Sequence, residues 1–105
     1  LPGDKYHAVA EKYLPNGSCG VVSFGVKGGR KAAAAFMGHL KIAAIETHVA
    51  DARTCCLHPA SSTHRQMNDE QLIAAGVQPD LVRMSCGLED KNDLIHDIAQ
   101  ALDQI

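Results

Sequence analysis

Between Pro79-Asp80 and Gly87 runs Leu81-Val82-Arg83-Met84-Ser85-Cys86, an apolar stretch of strand length with one arginine inside it. Directly after it, Asp90 precedes Leu94, Ile95, Ile98, Leu102 and Ile105, apolar residues at helical spacing behind a good helix-capping residue. A strand that turns at a glycine into a capped amphipathic helix is the unit of an α/β domain, where sheet and helices cover each other's apolar faces. The same alternation runs back through the chain. Asp4 is placed to cap a first helix reaching about Leu14, with Tyr6, Val9, Ala10 and Tyr13 on one face. Pro15-Asn16-Gly17 is turn chemistry, and Gly20 to Val26 reads as a strand in which Val22, Phe24 and Val26 share a face. Gly28-Gly29 breaks that strand, and Ala33, Phe36, Met37 and Leu40 recur at helical spacing behind it. Ile42 to Glu46 and Arg53 to Leu57 read as extended pieces, and the Pro59 and Ser/Thr run from His58 to Gln66 as irregular. Asn68 and Gln71 form a capping box for a short helix that Gly76 ends. The pattern predicts one α/β (α+β) two-layer sandwich over residues 1–105, a sheet of about three or four strands with helices mainly on one face.

Composition narrows the partners. Net charge is −2 and the longest basic stretch is Arg30-Lys31, so no nucleic acid is expected. No apolar run approaches the roughly 18 residues of a membrane span, and no secretory signal pattern is present. The four cysteines (Cys19, Cys55, Cys56, Cys86) therefore read as reduced thiols in a cytoplasmic protein. The chain opens at Leu1-Pro2-Gly3 without a methionine, as a piece cut or processed from a longer polypeptide would.

Within the strand, alternation puts Val82, Met84 and Cys86 on one face and Leu81, Arg83 and Ser85 on the other. A guanidinium taken from water needs an anion. Arg83 therefore meets either a ligand's planar carboxylate, which arginine grips bidentately, or an internal acid such as Glu89 or Asp90. The loop from His58 to His64 carries two imidazoles and the hydroxyls of Ser61, Ser62 and Thr63. Those groups can line a polar pocket, or satisfy the backbone of a tight irregular turn. Cys55, Cys56, His58 and His64 match no standard zinc spacing, and adjacent strand cysteines face opposite ways, so no metal is expected. Gly25-Val26-Lys27-Gly28-Gly29 matches neither phosphate-binding fingerprint and serves a sharp strand-to-helix turn. No set of residues here could carry a reaction through alone.

Tyr13-Leu14-Pro15, Val22 to Gly29, the His58 to His64 loop and Arg83-Met84-Ser85-Cys86-Gly87-Leu88-Glu89-Asp90 together resemble the C-terminal domain of the Cys/Met-metabolism family of pyridoxal-phosphate enzymes. The resemblance covers nearly the whole chain. His58 to Gln66 followed by Ala74-Ala75-Gly76-Val77-Gln78-Pro79-Asp80-Leu81-Val82-Arg83 looks most like the O-acetylhomoserine sulfhydrylase branch. Cystathionine γ-synthase, cystathionine γ-lyase and methionine γ-lyase are near neighbours. The resemblance implies the small, substrate-closing C-terminal domain of a fold-type I enzyme. It implies a transferase that replaces the γ-acetoxy group of O-acetyl-L-homoserine by sulfide or a thiol, giving homocysteine or methionine, with pyridoxal 5'-phosphate as electron sink. It further implies an N-terminal pyridoxal-phosphate domain in the same chain and a homotetramer at full length. In the family a strand arginine holds the substrate α-carboxylate, which matches Arg83; the assisting loop threonine matches Thr63, and His48 falls beside the same group. The cofactor lysine lies in the larger upstream domain. Lys5, Lys12, Lys27, Lys31, Lys41 and Lys91 match none of that context, so these residues alone are expected to bind no cofactor and to turn over nothing. One departure stands out. Where the family carries serine or asparagine, a hydrophobic residue and glycine, this chain has His48-Val49-Ala50. His48 is bulkier though still a hydrogen-bond donor, and Ala50 lacks glycine's backbone freedom. The competing class is a free-standing α/β module that takes up a small anionic ligand or regulates a partner.

Overall fold

The strand with the arginine becomes an inner strand of the sheet. A computed structural model describes residues Leu1 to Ile105. Its strands are β1 (Val21–Gly25), β2 (Ala44–Ile45), β3 (Cys55–Leu57) and β4 (Leu81–Ser85), in the spatial order β1-β4-β3-β2. β4 is antiparallel to both of its neighbours, while β2 lies parallel to β3. The helices are α1 (His7–Tyr13), α2 (Gly29–Gly38), α3 (Asp69–Ala74) and α4 (Lys91–Leu102), with a 3-10 turn at Pro59–Ser61. Period-two alternation sends Val82 and Met84 of β4 and Cys56 of β3 to one face. There they form the core with Ala33, Phe36 and Met37 of α2 and Ala101 of α4. Phe24 of β1 meets Phe36 edge-on, with ring centroids 5.8 Å apart. This is the two-layer α/β sandwich that the sequence pattern predicts, built on a mixed four-stranded sheet. No helix is long and apolar enough to cross a membrane.

Local signals set several boundaries. Asn68 accepts the Gln71 N–H at 2.8 Å while the Gln71 amide oxygen accepts the Asn68 N–H at 3.0 Å, a complete capping box. Asp90 accepts N–H groups from Asn92 and Asp93 at the start of α4. Other expectations shift. α1 begins only at His7 and buries nothing, because Asp4 caps a preceding turn through the Tyr6 N–H. Val22, Ile95, Leu102 and Ile105 stay substantially exposed: β1 is an edge strand, and α4 turns Asp97 and Ala101 inward instead. Asp97 accepts backbone N–H groups from Lys41 and Ile42 at 2.8 Å each and from Ala43 at 3.2 Å, which pins α4 to the chain leaving α2.

Candidate functional site

The face of β4 turned away from the helices carries Arg83 and Ser85. Register places Arg83 between Ser23 on β1 and Leu57 on β3, and Ser85 between Val21 and Cys55. The segment from Glu46 to Thr54 folds over this face, and three contacts hold it there. Thr54 donates its N–H and its hydroxyl to the two Glu89 carboxylate oxygens, at 2.8 and 2.7 Å, and its hydroxyl accepts the Gly87 N–H at 2.8 Å. Those Thr54 bonds, backbone first, hold the Glu89 carboxyl below its ordinary range. Gly87 is required, since a Cβ there would lie 2.3 Å from the Ala52 carbonyl oxygen and 2.5 Å from Thr54 N. Further along, Ala50 donates its N–H to Ser85 Oγ at 3.1 Å, with its own φ at +59°. That left-handed conformation suits glycine and strains alanine.

Arg83 is half-buried beneath this segment. One guanidinium nitrogen donates to the Thr47 carbonyl at 2.8 Å, and no carboxylate lies within ion-pair distance. The acids that sequence offers as internal partners are engaged elsewhere, Glu89 by Thr54 and Asp90 at the start of α4. His48 follows Thr47 and is exposed, with Nδ1 at 3.0 Å from Glu46 and 3.6 Å from Asp51. Arg83 and His48 thus share one neighbourhood. Thr63 is separate from it: its hydroxyl lies 2.9 Å from His64 Nδ1, and no hydrogen bond joins it to Arg83 or His48.

The rest of the His58 to His64 loop is tied to backbone. His58 is buried, and its Nε2 lies 2.7 Å from the Pro79 carbonyl. A carbonyl can only accept, so Nε2 carries the proton and Nδ1, in the neutral ring, accepts from Ser61 Oγ at 2.8 Å. This bond fastens the loop to the residues entering β4, and Ser62 Oγ donates back to the His58 carbonyl at 2.8 Å. His58, Ser61 and Ser62 are structural.

All four cysteines are free thiols. Burial pushes the Cys56 thiol up to about 11, and burial together with Asp51 and Glu46 raises Cys55. Neither is a nucleophile at neutral pH. A lysine that forms an imine is activated by desolvation or by a neighbouring cation. All six lysines here lie exposed, without the desolvation that such activation draws on. One grouping went unread in the sequence. Glu46, His48 and Cys55 bring a carboxylate oxygen, an imidazole nitrogen and the sulfur within 4.8 Å of one another. The signal is the parallel register of β2 and β3, which aligns Ala44 with Cys55 and so sets Glu46 and Cys55 on one face.

The family model for Cys/Met metabolism PLP-dependent enzymes matches residues 1–103. The chain belongs to this family. Among curated members, the homocysteine synthase of Schizosaccharomyces pombe is 45% identical over 97 residues, covering 92% of this chain and 23% of that protein. O-acetyl-L-homoserine sulfhydrylase 1 of Thermus thermophilus is 42% identical, covering 97% of this chain and 24% of its own length. Among solved structures, a protein from Campylobacter jejuni assigned as an O-acetylhomoserine (thiol)-lyase, which carries a pyridoxyl-lysine phosphate, superposes with a TM-score of 0.81. It is 33% identical and covers 98% of this chain and 24% of that one. The family's sandwich is therefore the fold described above, and the chain spans about a quarter of the length of these relatives.

Proposed function

We propose that these 105 residues are the carboxylate-gripping, C-terminal part of an O-acetylhomoserine sulfhydrylase that replaces the γ-acetoxy group of O-acetyl-L-homoserine by sulfide or a thiol. Homocysteine or methionine is the product. The observation that carries the reading is Arg83: a guanidinium within a strand, bonded to one carbonyl and paired with no acid of its own chain. Its remaining N–H donors form a planar fork suited to an amino acid's carboxylate. The names of the similar proteins give that amino acid its class.

In this reading Arg83 takes the α-carboxylate, and the Thr47 carbonyl fixes the guanidinium plane. His48, on the adjoining residue, offers a second donor to the same group, while Thr63, bonded to His64, takes no part in this arrangement. Fixing the carboxylate orients the substrate's Cα–H bond, a positioning contribution, while the chain itself performs no proton transfer. Pyridoxal 5'-phosphate supplies the electron sink when bound by the upstream domain, which also brings the lysine. The 105 residues alone hold no cofactor and turn over nothing.

The test uses the full-length polypeptide that contains this segment. Arg83→Ala removes a charge-assisted bidentate contact worth roughly 2–3 kcal/mol, so kcat/KM for O-acetylhomoserine falls about 30- to 160-fold, mostly through KM. The KM for sulfide stays within about twofold, because sulfide has no carboxylate to hold. Unchanged use of O-acetylhomoserine by the variant overturns the assignment.

A further inference from the structure

The loop over β4 gathers donor groups of which the carboxylate reading uses only the His48 imidazole. Glu46 leaves β2 on the same face as Cys55 of β3, and its N–H to the Cys56 carbonyl, at 3.2 Å, holds it in that register. The chain then turns, and Ala50 at φ +59° brings the next residues back toward the sheet. That turn sets His48 Nδ1 at 3.0 Å from Glu46 Oε2 and 3.6 Å from Asp51 Oδ2. Asp51 is held in place through its other oxygen, which accepts the Arg53 N–H at 2.9 Å. The sulfur of Cys55 completes the group: one carboxylate oxygen, one imidazole nitrogen and one thiol, mutually within 4.8 Å.

We propose that Glu46, His48 and Cys55, with Asp51 as the fourth donor, form a tetrahedral site for a zinc-class divalent cation. Ligands at the zinc–nitrogen, zinc–oxygen and zinc–sulfur distances of a tetrahedral site lie about 3.4–3.8 Å from one another. The present separations, from 3.0 Å between His48 and Glu46 up to 4.8 Å within the group, straddle that range, and the exposed Glu46 and His48 side chains are free to rotate into it. Thiolate, imidazole and carboxylate together select zinc over calcium and magnesium, which take oxygen alone. Binding displaces the Cys55 proton to solvent, and the thiolate exchanges its 3.3 Å bond to the Arg53 carbonyl for the metal. This set differs from the Cys55, Cys56, His58 and His64 combination that sequence spacing argues against. Cys56 faces the core, and both ring nitrogens of His58 are occupied. Thr47 lies between two of the ligands, so the cation would also stiffen the carbonyl on which Arg83 rests.

Zinc chloride titrated into the purified chain, in competition with a chromophoric chelator, should show one bound ion per chain at micromolar affinity or tighter. Cobalt(II) in its place should give a near-ultraviolet thiolate-to-cobalt charge-transfer band and tetrahedral visible bands. His48→Asn and Glu46→Gln alter exposed side chains and leave the core alone; each should weaken zinc at least tenfold. Cys55→Ser should abolish the charge-transfer band, whereas Cys19→Ser, at an exposed thiol elsewhere, should leave it intact. The proposal is overturned by the absence of stoichiometric zinc. It is equally overturned by full affinity in His48→Asn, or by a charge-transfer band that survives Cys55→Ser.

Discussion

Asp97 and Arg83 are charges on opposite sides of one sheet, and their surroundings differ in kind. Asp97 is 4% exposed and has all it can accept: three backbone N–H groups from residues 41 to 43 and the Gln100 amide at 3.1 Å. Burial alone would raise its pKa, but the hydrogen bonds outweigh burial and hold the carboxyl below its usual range. Arg83 carries five N–H donors and spends one on a protein carbonyl. A charge saturated from within anchors the fold. One left with spare donors beneath a surface loop is available to a ligand.

Deletion separates the two cases. Asp97→Ala leaves three backbone N–H groups without their acceptor, so a loss of about 3 kcal/mol or more is expected in urea unfolding, and a Tm lower by at least about 10 °C. Arg83→Ala forfeits one hydrogen bond at a half-buried site and should change stability by less than about 1 kcal/mol. Equal losses in the two variants would make Arg83 an anchor as well and erase the contrast.

Acid sharpens the same comparison. Asp97 and Glu89 both sit below their ordinary values of 3.8 and 4.5, so the folded chain binds fewer protons than the unfolded chain in that range. Their contribution is complete above the unfolded values and fades as pH falls below about 4.5 toward the depressed ones. Urea midpoints should therefore hold steady from pH 7 to about 5 and drop below it, with a shallower drop in Asp97→Asn. Arg83→Ala should follow the unmodified chain across the whole range, since it leaves both carboxylates and their hydrogen bonds in place.

The smallest effect concerns the loop itself. Alanine at φ +59° is strained by about 1 kcal/mol, and glycine relieves this at some entropic cost in the unfolded chain. Ala50→Gly should gain roughly 0.5 kcal/mol in thermal unfolding. A loss there would mean that the turn derives its shape from the alanine side chain.

What could be read beforehand divides along the same line. The inner strand, both helix caps and the pairing of sheet with helices follow from local rules: period-two alternation, a capping box, a glycine turn. Long-range register does not. Asp97 lies within the apolar stripe of α4 in sequence, and nothing local says that an acid there will meet three amides from a turn 54 to 56 residues earlier. The grouping of Glu46 with Cys55 likewise depends on a parallel pairing of two very short strands. Arg83 was legible as a residue needing a partner. That Glu89 and Asp90 are taken by Thr54 and by the start of α4 emerges only once the chain is folded.

The account turns on Arg83 meeting an amino acid's carboxylate, and a substrate pair tests that most directly. In the full-length enzyme, kcat/KM is compared for O-acetylhomoserine and its α-carboxamide, with Arg83 present and replaced by alanine. The unmodified enzyme should prefer the carboxylate by about 100-fold, and Arg83→Ala should reduce that preference to a few-fold. Discrimination that survives undiminished in Arg83→Ala would place the carboxylate on another residue and contradict the assignment.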